Sequence, residues 1–167
     1  MTLLPEDDVA GQVPGDFLAA GVELGTVTCF EVSDDAVVRD AITHGGQALV
    51  VQTNNATFGR GGETWQQLAM ARLRAVEHGR EVVVSSTSGV SAVVDAHGHV
   101  LERSGLFTPA VLSAELRMSS ARTLADRVGA WPDRVVTTLG LLGVALGLLG
   151  ARRRRPADEG SHVRSCM

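Results

Sequence analysis

The sequence predicts an α/β fold built on a mixed sheet, because short apolar runs alternate with helical patterns and a hairpin follows. The apolar runs lie at residues 21–28, 47–52 and 81–85. The segments with helical spacing lie at residues 34–44 and 63–78. Residues 91–95 and 100–103 are two further runs that flank a short turn, which indicates antiparallel pairing at one side of the sheet.

The first half of the predicted fold consists of a loop, two strands and the helix between them. Residues 1–15, with two prolines and an acidic cluster, predict a surface loop before the strand at residues 21–28. The helix at residues 34–44 has acidic residues in its first turn, where they interact favourably with the helix dipole. The continuous apolar run at residues 47–52 is typical of a strand buried on both faces.

The second half begins with a polar, glycine-rich loop at residues 53–62. The helix at residues 63–78 is predicted to bury one stripe of apolar side chains and to end at Gly79. That stripe consists of Trp65, Leu68, Ala69, Leu73 and Val76. The turn of the hairpin is predicted at residues 96–99, and residues 111–116 are predicted to form a last strand.

An uncharged apolar segment at residues 135–151 predicts a transmembrane helix. Its length of about 17 residues is the lower limit for crossing a bilayer, and length alone also allows a buried helix of a soluble protein. Four arginines follow at residues 152–155, and basic residues favour the cytoplasmic side of a membrane. We therefore expect a cytoplasmic tail at residues 152–167 and an extracytoplasmic domain at residues 1–134.

Cys29 is the candidate nucleophile, because it lies between the strand at residues 21–28 and the following helix. A strand-to-helix turn presents a side chain at the edge of a sheet and points helix N-terminal amides towards it. Those amides favour the thiolate form of a cysteine and can bind a developing oxyanion. The alternative is an inert core cysteine, since free cysteines are among the most buried residues.

Four segments of the sequence, one that contains Cys29 and three that follow it, resemble a known family. They are residues 27–31 (VTCFE), 52–59 (QTNNATFG), 63–80 (ETWQQLAMARLRAVEHGR) and 86–94 (STSGVSAVV). In this order and spacing they resemble the C-terminal part of the apolipoprotein N-acyltransferases, the membrane-bound, lipoprotein-finishing members of the nitrilase superfamily. The resemblance implies the C-terminal half of a nitrilase-like αββα sandwich, followed by one transmembrane helix.

The resemblance implies acyl transfer through Cys29, without a cofactor or a metal. The thiolate accepts an acyl chain from a phospholipid as a thioester and passes it to the N-terminal amine of a diacylglyceryl-modified cysteine on an apolipoprotein. Glu31 corresponds to a supporting acid, although the helix dipole alone also favours an acid in a first turn. The backbone amide of Phe30 corresponds to an oxyanion donor.

The resemblance also places Asn54, Asn55 and Phe58 at the rim of the substrate pocket. Turn formation is the alternative for the two asparagines, because asparagine bonds its own backbone and tolerates left-handed conformations. Thr57 stands where the family commonly has a tryptophan, so we assign it no lipid contact. Trp65 is interpreted as a core or interface residue, because it belongs to the predicted apolar stripe.

The resemblance assigns a general-base glutamate and an oxyanion-binding lysine to positions before the nucleophile. All 15 residues counted as lysine or arginine are arginines, and the pKa of arginine is too high for proton transfer. Residues 1–8 also lack the basic and apolar regions of a signal peptide. We therefore expect that Met1 is a mistaken start or that the gene is truncated, and that this chain alone is inactive.

Two other functions are consistent with the sequence: a nitrilase-type amidase that hydrolyses a soluble amide through Cys29, and a membrane-tethered remnant without enzymatic activity. The apolar segment at residues 135–151 argues against the first, and the lack of lysine favours the second. A net charge of −4 argues against nucleic acid as a partner, since phosphate-binding surfaces are normally basic. His97 and His99, with Asp95 nearby, lie in a turn without a full ligand set, so we predict no metal site.

Overall fold

The computed structural model describes Val13 and residues 15–153, with side chains to residue 150. The strands in this part of the chain are β1 (Asp16–Ala19), β2 (Val22–Thr28), β3 (Leu49–Thr53), β4 (Val82–Ser86), β5 (Ala92–Val94) and β6 (Val100–Arg103). The helices are α1 (Asp35–Thr43), α2 (Glu63–His78), α3 (Leu124–Val128) and α4 (Trp131–Arg153). Short 3-10 turns follow β2 and β3, at Cys29–Ser33 and Ala56–Phe58. The predicted loop at residues 1–15 and the predicted tail at residues 152–167 lie outside the described residues, apart from Val13, Gly15 and the end of α4.

The strands form one mixed sheet in the order of the chain. β2, β3 and β4 are parallel to one another, whereas β1, β5 and β6 each join their neighbour antiparallel. Thr28 pairs with Gln52, and Gln52 pairs with Ser85. The carboxyl ends of the three parallel strands therefore meet at one edge of the sheet, where the residues that follow them lie side by side. The prediction of an α/β fold with a mixed sheet is confirmed.

The hydrophobic core lies between one face of the sheet and the helices α1 and α2. The buried strand residues are Val27, Leu49, Val51, Val82, Val84, Ala92 and Val94. The buried helix residues include Val38, Ile42, Leu68, Ala71 and Ala75. On the other face, Val50 and Val83 are only half-buried and Gln52 is exposed. The strand predicted at residues 47–52 is therefore fully buried on one face and not on both.

Two strand predictions differ from the structure. β1 was not predicted, because its four residues are too few to establish a pattern; it pairs with β2 through a hairpin in which Ala20 and Gly21 have φ values of 50° and 82°. The last strand predicted at residues 111–116 is wrong, because that segment has no regular secondary structure. Its half-buried Leu112 and Leu116 line a cavity against β4 and β5, so the apolar alternation reflects a segment that lies over the sheet without pairing in it.

The predicted apolar stripe on α2 is also wrong. Trp65, Leu73 and Val76 are 41%, 61% and 53% exposed, and Leu68 is the one buried member of the stripe. The buried face of α2 carries Thr64, Gln67, Leu68, Ala71, Arg74, Ala75 and His78. Part of this face meets the turns after β2 and β3, whose polar groups need hydrogen-bond partners once they are buried. The ring of Trp65 instead lies 5.2 Å from the guanidinium carbon of Arg103, a cation-π contact.

Asp95 holds the hairpin turn between β5 and β6. Its Oδ1 accepts hydrogen bonds from the backbone N–H groups of His97 (2.9 Å) and His99 (2.8 Å). Its Oδ2 lies 3.1 Å from Nδ1 of His99. The backbone hydrogen bond from His99 is the main reason that the pKa of Asp95 lies below its usual value of 3.8. These contacts give the three residues a structural role in the turn.

The described contacts divide the chain into two units, one ending at Gly129 and one beginning at Ala130. The second unit contains α4, which starts at Trp131 and so extends the helix predicted at residues 135–151 towards the N-terminus. Its segment Trp131–Gly150 has 20 residues and a mean hydropathy of 1.5. By length and composition this helix is able to cross a membrane.

Candidate active site

Cys29 is the first residue after β2 and has a left-handed backbone conformation, with a φ of 51°. Such a conformation costs a residue other than glycine about 1–3 kcal/mol and persists only where the surrounding contacts enforce it. Cys29 begins the 3-10 turn Cys29–Ser33, which leads the chain from the strand into α1. Its side chain is half-buried at the edge of the sheet, in the position that the strand-to-helix pattern predicts.

Glu31 closes this turn from its exposed side. Its Oε2 accepts a hydrogen bond of 2.6 Å from the backbone N–H of Thr28, the last residue of β2. The carboxylate therefore restrains the two chain segments that flank Cys29. Phe30 is 68% exposed, and its backbone amide follows the nucleophile directly. The supporting role of Glu31 and the oxyanion role of Phe30 stay predictions.

Arg74 of α2 holds the same turn from the buried side. Its Nε donates to the carbonyl oxygen of Val32 at 2.9 Å, and its Nη2 donates to that of Ser33 at 2.7 Å. Its Nη1 contacts the carboxylates of Asp35 (3.3 Å) and Glu77 (2.5 Å). Only 7% of Arg74 is exposed. The guanidinium therefore satisfies carbonyl groups of the turn, while two carboxylates balance its charge.

A buried polar network lies behind Cys29. Gln67 of α2 donates a hydrogen bond from Nε2 to the Sγ of Cys29, at 3.8 Å. The Oε1 of Gln67 accepts from Nδ2 of Asn55 at 2.7 Å and lies 3.1 Å from Oγ1 of Thr53. Oδ1 of Asn55 lies 2.7 Å from Oγ1 of Thr53 and 3.2 Å from Oγ of Ser86. The network connects the residues at the ends of β3 and β4 to the thiol through α2.

The three residues predicted at the pocket rim occupy different environments. Asn54 is exposed, and its Oδ1 accepts hydrogen bonds from the backbone N–H of Ala56 (3.1 Å) and from Oγ1 of Thr87 (2.9 Å). Asn55 is only 1% exposed and makes its contacts below the surface. Phe58 is 37% exposed at the end of the second 3-10 turn. Asn54 and Phe58 are thus accessible from solvent, whereas Asn55 acts within the buried network.

An open groove runs along the carboxyl ends of the parallel strands next to Cys29. It is lined by Thr28, Val50, Gln52, Thr53, Asn54, Ser85 and Thr87. Thr28, one of the lining residues, directly precedes Cys29 in the chain. Most of the lining residues are of polar type, and their hydroxyl and amide groups can position a carbonyl or headgroup oxygen.

Sequence reasoning missed Gln67 and Arg74, although a signal for both was present. Thr64, Gln67, Arg74 and His78 recur at spacings of three, seven and four residues, which places them on one face of a helix. Ala71 and Ala75 lie on that face too. Polar residues that share a helix face with small residues indicate a buried polar face. This signal was missed because the apolar residues of the other stripe were taken as the buried ones.

Asp35, Glu77 and His78 each bring a possible metal-ligand atom within 4.8 Å of the others. Arg74 already contacts both carboxylates, and Arg39 forms a further ion pair with Asp35. A metal ion at this point would meet guanidinium charge on the ligands that it needs. The cluster is therefore better suited to an ion-pair network than to metal binding.

The chain is similar to known proteins over most of its length. The family described as Carbon-nitrogen hydrolase matches residues 3–126. The chain belongs to the carbon-nitrogen hydrolase family. In this member of the carbon-nitrogen hydrolases, the matched residues include Cys29, Gln67 and Arg74 together with the sheet that positions them.

Two curated relatives are similar to most of this carbon-nitrogen hydrolase chain. The apolipoprotein N-acyltransferase of Mycolicibacterium smegmatis is 42% identical over 141 residues, which cover 84% of this chain and 23% of that protein. The apolipoprotein N-acyltransferase of Vibrio vulnificus is 32% identical over 146 residues, which cover 84% of this chain and 28% of that protein. The chain thus spans about a quarter of the length of these relatives. The resemblance to the apolipoprotein N-acyltransferases is confirmed.

Among solved structures, an amidase from Nesterenkonia sp. aligns with a TM-score of 0.45 and 23% identity. The aligned region covers 58% of this chain and 39% of that chain.

Proposed function

We propose that Cys29 carries an acyl chain from a phospholipid to the N-terminal amine of an apolipoprotein. The observation that carries this proposal is the half-buried thiol in a left-handed turn after β2, within a chain that is 42% identical to an apolipoprotein N-acyltransferase. A structural core cysteine has no need of a strained backbone. The strain at Cys29 supports a role for the side chain itself.

The reaction consists of two acyl shifts through one thioester. In the first, the thiolate of Cys29 attacks the ester carbonyl carbon; a C–S bond forms, the ester C–O bond breaks, and the lysophospholipid leaves after taking up a proton. In the second, the amine of the diacylglyceryl-modified cysteine attacks the thioester. The amide C–N bond forms, the C–S bond breaks, the amine proton passes to a base, and the thiolate is restored.

Groups around Cys29 contribute to both shifts. The backbone amide of Phe30 binds the oxyanion that develops on the attacked carbonyl. Glu31 restrains the turn through its bond to Thr28, so that thiol and amide keep their relative position. The exposed Asn54 and Phe58 bind substrate at the rim of the substrate pocket.

We expect the general base and an ammonium group to be supplied by residues other than those named above. The sequence contains no lysine, and Arg74 is engaged by backbone carbonyls and two carboxylates. The chain spans about a quarter of the length of its curated relatives. We therefore expect that the chain by itself does not complete a catalytic cycle.

The membrane brings the two proposed substrates together. The segment Trp131–Gly150 crosses the bilayer, with residues before it extracytoplasmic and the arginines after it cytoplasmic. Phospholipid and the diacylglyceryl group of the acceptor then lie in the same membrane surface. We expect no nucleic acid to take part, because the net charge of the chain is −4.

The proposal is tested by trapping the thioester in membranes of cells that express the whole gene, supplied with an alkyne-labelled phospholipid. We expect a label on Cys29 that neutral hydroxylamine removes. Cys29→Ser is expected to give at most a hydroxylamine-resistant oxyester, and Cys29→Ala to give no label. Cys166→Ser is the matched control, because it removes the other cysteine and leaves the proposed nucleophile.

Three results contradict parts of the proposal. Equal labelling of Cys29→Ala shows that the acyl chain is carried elsewhere. Release of ammonia from a soluble amide, without lipid label, favours the amidase alternative. Labelling and turnover by the purified chain alone show that no outside base or ammonium is required.

A further inference from the structure

We propose that Gln67 keeps Cys29 reactive by donating a hydrogen bond from its side-chain nitrogen to the sulfur, with Asn55 and Ser86 fixing the direction of that amide. The inference rests on the proposed use of Cys29 as the nucleophile and deepens it. Gln67 acts here as a positioning residue for the reactive form of the thiol.

The direction of the network follows from the hydrogen bonds at Ser86 and Asn55. The N–H of Gly89 donates to Oγ of Ser86 at 2.8 Å, and a backbone N–H cannot exchange its role with an oxygen. Oγ of Ser86 donates its proton to Oδ1 of Asn55, at 3.2 Å. Because the oxygen of Asn55 faces Ser86, its nitrogen faces Oε1 of Gln67. Only the nitrogen of Gln67 is left to face Cys29.

Burial prevents the two amides from reversing. Asn55 and Gln67 are 1% and 6% exposed, so neither side chain turns towards water to satisfy a different orientation. If the side-chain amide of Gln67 alone were rotated by half a turn, its nitrogen would face Nδ2 of Asn55. Two donors would then face each other without an acceptor. A buried donor without a partner destabilises the fold, which favours the observed direction.

A donor at the sulfur favours the thiolate over the thiol. A hydrogen bond to a charged acceptor is about twice as strong as one to a neutral acceptor, so the contact stabilises the anion selectively. The neighbouring charges have other partners: Glu31 accepts from the backbone of Thr28, and Arg74 donates to backbone carbonyls of the turn. Among the described residues, Gln67 is therefore the side-chain donor on the sulfur.

The test compares Gln67→Glu with Gln66→Glu in the full-length gene product, purified in detergent. The reaction is alkylation by iodoacetamide, in which the thiolate displaces iodide and forms a thioether, followed at Cys29 by site-resolved mass spectrometry. Gln67→Glu keeps one oxygen for Asn55 and puts a second oxygen where the donor was. Gln66 is the exposed neighbour on the same helix and receives the same charge.

We expect alkylation of Cys29 near pH 7 to slow about tenfold in Gln67→Glu, as the loss of a charge-assisted hydrogen bond implies, and to change less than about twofold in Gln66→Glu. The difference between the variants is expected to narrow as the pH is raised, because alkali favours the thiolate whether or not Gln67 is present. Damage that is merely structural does not produce this pH dependence. Ser86→Ala, which removes one of the hydrogen bonds to Oδ1 of Asn55, is expected to slow alkylation to a smaller extent.

Folding of each variant is checked by its thermal unfolding midpoint, and Gln67→Met serves as a second variant that adds no charge. An unchanged alkylation rate in either folded Gln67 variant overturns the inference. If Gln67→Glu does not fold, the rates of Gln67→Met and Ser86→Ala decide. Alkylation needs no acyl substrate, so it tests the role of Gln67 independently of acyl transfer. If the Gln67 variants are alkylated slowly but the unmutated protein never forms a thioester, the proposed function is refuted and the role of Gln67 is not.

Discussion

Nδ1 of His78 and Oδ1 of Asp126 are 2.6 Å apart, although the two residues are separated by 48 positions in the sequence. Both side chains are buried, with 1% and 0% exposed. His78 ends α2, and Asp126 lies in α3. The contact therefore ties the short helix near the end of the domain to the helix that carries Gln67 and Arg74.

Acid sensitivity of the fold is expected to depend on Asp126. Burial raises the pKa of this carboxyl, but the hydrogen bonds from His78 and Thr123 lower it by more, so that the pKa lies below its usual value of 3.8. The folded state therefore binds this proton less tightly than the unfolded state. The resulting stability is fully present above about pH 4 and is lost as the pH falls through the lowered pKa.

We expect Asp126→Asn to lower the free energy of unfolding at about pH 7 by about 3 kcal/mol and to reduce the further loss below about pH 4. Urea unfolding at both pH values measures the two effects. Asp16→Asn, at an exposed site on β1, is the control and is expected to change stability by less than about 0.5 kcal/mol. An acid response in Asp126→Asn as steep as in the unmutated protein contradicts the prediction.

The fork geometry of Arg74 is expected to matter more than its charge. Arg74→Lys keeps the positive charge but cannot serve the carbonyls of Val32 and Ser33 together. We expect a loss of about 3 kcal/mol in the free energy of unfolding, and a fall in thioester formation because the turn at Cys29 loosens.

Arg72→Lys is the matched control for this substitution. Arg72 is exposed on the same helix and makes one hydrogen bond, from Nε to the carbonyl oxygen of Gly98 at 2.7 Å. We expect it to change stability by less than about 1 kcal/mol. Equal effects of the two substitutions in denaturant unfolding exclude a special role of the buried fork.

Local pattern was sufficient to predict the sheet and the position of Cys29. Short apolar strands alternating with helices indicate parallel strands, and a residue directly after β2 has to lie at the carboxyl edge of the sheet. The contact between Glu31 and Thr28 is equally local, since it spans three residues. These features follow from a few neighbouring residues, so the sequence is enough to predict them.

Contacts between distant segments were not predictable in the same way. Gln67 meets Cys29 across 38 positions, and Arg74 meets Val32 across 42. The apolar stripe of α2 predicted the wrong buried face. The helix packs against polar turns as well as against the sheet, so it buries polar side chains that bond to those turns. Asn54 and Asn55 are adjacent in the sequence, yet one is exposed and the other 1% exposed; the end of β3 separates their environments.

The position of Gly89 is expected not to tolerate a residue larger than glycine. A Cβ built at this position lies 2.6 Å from Oγ of Ser86 and 2.9 Å from Cγ of Asn55, so both groups of the network have to move. We expect Gly89→Ala to lower the free energy of unfolding by about 1–3 kcal/mol and to slow alkylation of Cys29 through the displaced network. Unfolding in urea and the iodoacetamide rate measure these effects.

Gly62→Ala is the control for the effect of adding a methyl group. Gly62 precedes α2 with a φ of −75°, and a Cβ there meets no atom within 4 Å. We expect a gain of up to about 1 kcal/mol, because alanine loses less conformational freedom on folding. A Gly89→Ala variant as stable as Gly62→Ala and with normal alkylation contradicts the close packing around Ser86.

We expect the C-terminus to lie on the cytoplasmic side of the membrane, because the arginines at residues 152–155 directly follow the apolar segment. In a Cys29→Ser background, Cys166 is expected to react with a membrane-impermeant maleimide only after the cells are permeabilised. Ser120→Cys, an exposed position in the domain before the helix, is expected to react in intact spheroplasts. Labelling of Cys166 and protection of the introduced cysteine in intact cells would reverse the orientation, and equal labelling of both would show that the apolar helix does not separate them.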